Sequence, residues 1–170
     1  MGLPKPYYQD PAVTIYHADC QEILPQLEPV DFVLTDQPYG IDYQSAWRIA
    51  WNRKGKIHGD DEFPTWLFEM LHPRMAMLMF CRWEMLYTLP QPKSFIVWDK
   101  GNHSMGDLEH EYGRQWEGVA FYPGPNHIWT YRPKDIIFAR RIGPEALLHP
   151  NEKPIELLKI LMYPYDAQTI

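Results

Sequence analysis

The chain has 170 residues, 45% of them hydrophobic and 22% charged, which is typical of one globular domain and excludes a disordered chain. The net charge of −6 argues against indiscriminate binding to nucleic acid, because neutralising phosphates requires a local surplus of lysine and arginine. No apolar run approaches the ~20 residues of a membrane span, and the N-terminus lacks the apolar centre of a secretory signal. We therefore expect a cytoplasmic protein without a membrane partner.

Short β-branched and aromatic runs alternate with segments of helical period, which predicts an α/β fold with a mostly parallel sheet. The predicted strands are Val13–His17, Val30–Thr35, Met75–Cys81, Ser94–Trp98, Gly118–Tyr122 and Asp135–Ala139. The predicted helices are Asp19–Leu27, a helix capped by Thr65 and ended by Pro73, the segment RWEMLYTL, and a helix from Pro154 to Pro164. We assign all 170 residues to a single domain.

The segment VDFVLTDQPYG (residues 30–40) leads from a buried strand directly into Asp36. In open α/β sheets, ligands bind beyond the carboxyl ends of the strands. An enzyme that modifies the amino group of a base extrudes the base, stacks it on an aromatic ring and binds its amino hydrogens. Asp36 provides an acceptor and Tyr39 a ring, and Pro38 restricts φ between them. The alternative is a turn in which the Asp36 carboxylate accepts hydrogen bonds from nearby backbone amides.

Basic residues are concentrated in two stretches of the sequence that contain almost no acidic residues. One lies in the loop Ile41–Asp60, and the other is interrupted only by Asp135. The members are Arg48, Arg53, Lys54 and Lys56 in the first, and Arg132, Lys134, Arg140 and Arg141 in the second. Lysine and arginine clusters of this kind fit the phosphate backbone of DNA, and the alternative is two solvated loops.

The sequence TDQPYG resembles the Asp-Pro-Pro-Tyr signature of DNA amino-methyltransferases, which methylate adenine N6 or cytosine N4 with S-adenosylmethionine. The resemblance implies that Asp36 and the Gln37 carbonyl accept hydrogen bonds from the amino group, and that Pro38 and Tyr39 complete the catalytic motif. Gln37 departs from the signature, which has proline there, so its φ is not restricted. Adenine is favoured because cytosine enzymes more often have serine at the first position.

Three further segments are similar to this family. HPNEKPIELLKIL (residues 149–161) resembles the His-Pro-x-x-Lys-Pro segment that lies against the cofactor, and IYHADCQEILPQL resembles the element that precedes the catalytic motif. FIVWDKGNHSMG with QWEGVAFYPG resembles the Trp-x-Lys strand and the Glu-bearing strand that follows it. The cofactor-binding residues implied by these matches are Asp19, His149, Pro150, Lys153 and Pro154. The alternatives are a plain helix N-cap at Asp19 and a proline-bounded helix start with Asn151 as cap.

The resemblance implies a Rossmann-like S-adenosylmethionine-dependent methyltransferase fold of the permuted type, with double-stranded DNA as partner. Residues 112–148 would form a small insertion facing DNA, as a target recognition region. The family's glycine-rich cofactor turn is missing after the last helix, so we expect a sheet that is incomplete at the C-terminus, a truncated domain and weak cofactor affinity. A homodimer or a complementing chain would then supply the missing strands.

Two other functions remain open. A metal-dependent nuclease would use Asp19, Asp36, Asp60 and Asp61 with a divalent ion, but it leaves Tyr39 unexplained. A catalytically silent DNA-binding or assembly module is favoured by Gln37 and by the missing turn. We predict no metal site, because the histidines lack metal spacing and the nearest cluster is only His103, His110 and Glu111.

Overall fold

A computed structural model describes residues 2–42, 59–72, 74–103, 108–110, 112–125, 130–143, 145–149 and 151–165. The chain divides into two compact units, Met1–Val30 and Asp31–Ile170. Within the described residues, every helix is too short or too polar to cross a membrane.

The first unit contains a small hairpin and a short helix. Strands β1 (Tyr8–Gln9) and β2 (Thr14–Ile15) pair antiparallel, and the Asp10 carboxylate closes the turn by accepting hydrogen bonds from the amides of residues 12 and 13. Helix α1 spans only Cys20–Ile23 and continues as a 3-10 turn, Leu24–Gln26. The helix is shorter than predicted because Pro25 has no N–H to continue the α-helical ladder.

The second unit is built on a five-stranded sheet in the order β3-β4-β6-β5-β7. Strands β3 and β4 pair parallel, as do β5 and β7, whereas β6 pairs antiparallel with both β4 and β5. Four strands therefore point in one direction, and the mostly parallel sheet predicted from the sequence is confirmed. The strands are β3 (Phe32–Thr35), β4 (Ala76–Cys81), β5 (Ser94–Asp99), β6 (Trp116–Tyr122) and β7 (Ile136–Phe138).

The middle of this sheet is apolar on both faces. All six residues of β4 are buried, as is the run Gly118–Tyr122 of β6, the pattern expected of strands covered on both sides. Trp98 on β5 is also buried, and its indole N–H donates to the Ala139 carbonyl at 2.7 Å. This bond ties β5 to the chain that follows β7.

Among its described residues, the second unit also contains two α-helices and a 3-10 helix. Helix α2 spans Thr65–Leu71 and helix α3 spans Ile155–Met162. The prediction that Thr65 caps α2 is wrong, because Pro64 is the N-cap and no side chain caps the helix. The segment RWEMLYTL forms only a 3-10 helix, Trp83–Tyr87.

Helix α3 contributes Leu157 and Leu161 to the buried cluster that also contains Phe32 and Phe80 of the sheet. Lys153, two residues before the helix, contacts Asp36 after β3, so the helix begins near the carboxyl end of β3. Because β6 runs in the opposite direction, its first residues also lie at this edge, and so does the end of β5. Four separate parts of the sequence thus meet at the same edge of the sheet.

Strands β6 and β7 lie within residues 112–148, so part of the stretch predicted as an insertion belongs to the sheet. The DNA-facing role of the other residues in this stretch stays a prediction.

Candidate active site

Asp36 follows the last residue of β3, and its side chain is 36% exposed. The next residue, Gln37, is buried. Its side-chain amide donates to the Phe80 carbonyl at 2.7 Å, and its own oxygen accepts a hydrogen bond from the Thr35 hydroxyl at 3.3 Å. Gln37 has no ring to restrict φ, but the first bond fixes its side chain to the neighbouring strand β4 and the second to the end of β3.

The Tyr39 hydroxyl lies between two carboxylates. It is 3.0 Å from Asp36 Oδ1 and also bonds Glu117 Oε1. Glu117 is the second residue of β6 and lies opposite Trp98 in the antiparallel register. The side chains of Asp36 and Tyr39 are therefore in contact. The prediction that both bind the same ligand requires this proximity.

Lys153 completes this cluster from the start of α3. Its ammonium lies 3.0 Å from Asp36 Oδ1 and 3.1 Å from Glu117 Oε1, and the side chain is only 9% exposed. The same nitrogen is 3.4 Å from the Tyr39 hydroxyl and lies 4.9 Å from the centre of the Phe80 ring. A second ammonium, on Lys100 at the end of β5, is 3.8 Å from Glu117 Oε2.

The buried charges of this cluster shift one another's pKa. Burial alone would raise the pKa of Glu117, but the positive charge of Lys153, the hydrogen bond from Tyr39 and the charge of Lys100 outweigh it, so the pKa falls below its usual value. Burial, together with the charges of Glu117 and Asp36, raises the pKa of Tyr39. Burial lowers the pKa of Lys100, and the charge of Glu117 opposes this shift. At neutral pH the cluster thus holds an ionised Glu117 and a neutral phenol.

The backbone after Tyr39 is held by Asp60, which is buried. The amides of Tyr39 and Gly40 donate to the same carboxylate oxygen of Asp60, at 2.7 and 2.9 Å. An Asp carboxylate that holds backbone amides was an alternative interpretation of Asp36. In the structure Asp60 has this role.

The predicted cofactor-binding residues are distributed over both units. Asp19 lies in the first unit, where it caps α1 by accepting a hydrogen bond from the Gln21 amide at 2.9 Å, as the alternative interpretation predicted. His149 is exposed, and its Nδ1 accepts a hydrogen bond from the Asn151 amide at 3.2 Å. Pro154 is buried and is the N-cap of α3, so Asn151 does not cap this helix. Pro150 lies outside the described residues, and the cofactor-binding role of all five residues stays a prediction.

The second basic group is exposed in the structure, and its binding to DNA stays a prediction. Its members are Arg132, Lys134, Arg140 and Arg141. Arg48, Arg53, Lys54 and Lys56 lie outside the described residues.

The nuclease alternative has no support in the part of the chain that the structure describes. Among those residues, no three His, Cys, Asp or Glu side chains are grouped so that they could bind a metal ion. The Asp60 carboxylate, one of the proposed ligands, instead accepts two backbone hydrogen bonds.

Glu117 and Lys100 were not predicted as site residues, and Asp60 was named only as a metal ligand of the nuclease alternative. The first two were present in the motifs WDK and QWEG, but their contact depends on the antiparallel register of β5 and β6, which the motifs alone do not reveal. Asp60 follows a polar stretch of sequence without a periodic pattern. Its only signal was its type, which suggested a metal ligand.

The fold resembles two solved structures. It has a TM-score of 0.56 and 22% identity to the crystal structure of the M1.HpyAVI-SAM complex, over 88% of this chain and 76% of that chain. For the crystal structure of M1.HpyAVI the values are 0.52 and 20%, over 88% and 74%. No protein-family model matches the sequence, and a search of curated proteins finds no match. The likeness confirms the predicted Rossmann-like α/β fold.

Proposed function

We propose that the protein transfers a methyl group from S-adenosylmethionine to the exocyclic amino group of a base extruded from double-stranded DNA, most favourably adenine N6. The observation that carries this proposal is the meeting of Asp36, Tyr39 and Lys153 at the carboxyl end of β3. One of the two similar structures, M1.HpyAVI-SAM, is a complex with SAM, which supports the choice of cofactor.

In this reaction Asp36 acts on the amino nitrogen of the base. Its carboxylate is partly exposed, so it can accept a hydrogen bond from the amino group. The backbone carbonyl of Gln37 is the second acceptor. Together they favour a tetrahedral nitrogen, whose lone pair is less delocalised into the ring. The nitrogen forms the new N–C bond and then loses one proton, either to Asp36 or to water. Tyr39 supplies the ring that stacks on the base.

S-adenosylmethionine, when bound, supplies a methyl group on a positively charged sulfur, which leaves with the electrons of the broken C–S bond. The partly exposed carboxylate of Asp36 provides a negative charge near this cation. Asp19, His149, Pro150, Lys153 and Pro154 would hold the cofactor. Lys153 would also hold Asp36 in place through the contact of 3.0 Å between their charged groups.

Methyl transfer from radiolabelled S-adenosylmethionine to unmethylated DNA of mixed sequence tests this function. We expect Asp36→Asn to lower the rate about 100-fold or more, the order of a lost catalytic acid–base group. Tyr39→Ala should weaken DNA binding by about 1–3 kcal/mol, the cost of one lost stacking contact, whereas Tyr39→Phe keeps the ring. Asp61→Asn, a change of the same type at an exposed position, is the control. A wild-type protein that binds DNA but transfers no methyl group would contradict the proposal.

One observation favours a binding module without catalysis. Gln37 stands where the family signature has proline, and its side chain is fixed to Phe80 and Thr35. In that case a gel shift with DNA would persist in the wild type and in Asp36→Asn, and neither protein would transfer a methyl group.

The proposal includes a second copy or another chain as partner. In the described part of the protein, β3 pairs with β4 alone, so its other edge is open to a further strand, and an open strand edge favours association. Light scattering after size-exclusion chromatography tests this point. A mass of 20.2 kDa, that of one chain, at micromolar concentration would exclude the homodimer.

A further inference from the structure

Asp60 is almost completely buried, with 2% of its surface exposed. It lies 20 residues after Gly40 in the sequence, but one oxygen of its carboxylate accepts hydrogen bonds from the amides of Tyr39 and Gly40. Two successive N–H groups that converge on one anionic oxygen make a strong, charge-assisted contact. This contact is directed at the residue that carries the stacking ring.

The contact between these segments is reinforced by the backbone. The Asp42 amide donates to the Asp60 carbonyl at 2.5 Å. Gly40 has a φ of +69°, and a Cβ at this position would collide with the backbone of Glu62 and Phe63. The segment 39–42 therefore lies directly against the segment 60–63. At position 40, only glycine allows so close an approach of the two backbones.

We propose that Asp60 is a positioning residue that holds the backbone of Tyr39, and thereby the Tyr39 ring, in the orientation needed to stack on the extruded base. This inference rests on the proposed function. The Tyr39 hydroxyl reaches both Asp36 and Glu117, so a rotation of the Tyr39 backbone would break both of these contacts together. The two hydrogen bonds to Asp60 do not involve Asp36 or Glu117, so Asp60 acts on the site through the position of Tyr39.

The two variants Asp60→Asn and Asp60→Ala separate the effect of the hydrogen-bond acceptor from the effect of the negative charge. Asparagine keeps an oxygen that can accept both amides but removes the negative charge, whereas alanine removes both acceptors. Asp61→Asn and Asp61→Ala are matched controls, because Asp61 is the exposed neighbour. Circular dichroism and thermal unfolding identify the variants that remain folded.

Amide hydrogen exchange of a peptide that covers residues 36–42 tests the contact without any need for activity. We expect exchange at Tyr39 and Gly40 to become at least tenfold faster in Asp60→Ala and to rise less in Asp60→Asn. Exchange in both Asp61 variants should stay within twofold of the wild type. If Asp60→Ala does not fold, Asp60→Asn carries the test. Unchanged exchange in a folded Asp60 variant would overturn the proposal.

Methyl transfer then distinguishes positioning from mere stability. We expect kcat/KM for DNA to fall at least tenfold in Asp60→Ala and to recover in part in Asp60→Asn, while the Kd of S-adenosylmethionine changes by less than twofold. An equal loss of cofactor affinity would overturn the positioning role. If the wild type transfers no methyl group, the proposed function fails, and hydrogen exchange still decides whether Asp60 holds Tyr39.

Discussion

Two sets of basic residues in this protein have opposite surroundings. Lys153 and Lys100 are largely buried and contact Glu117, and Lys153 also contacts Asp36. By contrast, Arg132, Lys134, Arg140 and Arg141 are exposed. A buried charge acts through fixed geometry and requires a partner, whereas an exposed charge acts at longer range and is screened by salt. The same residue types therefore predict different effects when they are replaced.

The largest effect is expected at the buried pair. Lys153→Met leaves Glu117 and Asp36 without their closest cation, and breaking a buried pair costs about 3–5 kcal/mol. Urea denaturation measures this loss. The double variant Lys153→Met with Glu117→Gln removes both members, so it should be more stable than Lys153→Met alone. A loss below about 1 kcal/mol, the range of surface ion pairs, would show that the pair is not buried in solution.

Gln37 offers a second test of buried polar contacts. Gln37→Glu replaces the N–H donor with a carboxylate that faces the Phe80 carbonyl, and we expect a loss of about 2–3 kcal/mol from the unpaired buried groups. Gln91→Glu, the same change at an exposed glutamine, should alter the stability by less than about 0.5 kcal/mol. Equal effects at the two positions would contradict the anchoring role of Gln37.

The pH dependence of stability tests the buried charges directly. The pKa of Glu117 is lower in the folded protein than its usual value, so its stabilising contribution is fully present above the unfolded-state pKa. This contribution is lost as the pH falls through the lowered pKa of the folded state. Thermal unfolding of the wild type should therefore show a steeper fall in Tm in acid than that of Glu117→Gln. Parallel profiles for the two proteins would contradict the ionised state of Glu117.

The smallest effects on stability are expected at the exposed basic group. Replacing Arg132, Lys134, Arg140 or Arg141 singly by alanine should change the free energy of unfolding by less than about 0.5 kcal/mol. If these residues contact phosphates, each replacement lowers the slope of log affinity for DNA against log salt by about 0.9. Lys93→Ala, at an exposed lysine outside this group, is the control. Unchanged slopes for all four variants would remove this surface from the DNA interface.

The sequence predicted the sheet better than it predicted the site. The strand at Met75–Cys81 was predicted to within one residue of β4, because six consecutive apolar residues can be covered on both faces only in a central strand. The β1–β2 hairpin was only half predicted, since Tyr8–Gln9 has no apolar pattern. Pro25 shortened the first helix.

At the site, the motif around Asp36 and Tyr39 could be predicted because its residues are close in sequence. Glu117 and Lys100 could not be assigned, because their contact depends on the position of β6 between β4 and β5. The sequence shows where the strands begin and end, but it does not show their order in the sheet. Asp60 was misinterpreted for a related reason: its partners are the amides of Tyr39 and Gly40, and backbone groups leave no sign in a sequence.

The central claim is that Asp36 binds the exocyclic amino group of an extruded base while the Tyr39 ring stacks on the same base. Mass spectrometry of the nucleosides from DNA treated with the wild type and with Asp36→Asn tests this claim most directly. We predict N6-methyldeoxyadenosine in DNA treated with the wild type and a loss of about 100-fold or more with Asp36→Asn. A methyl group on a ring carbon, as in 5-methyldeoxycytidine, or equal yields from the two proteins, would contradict the claim.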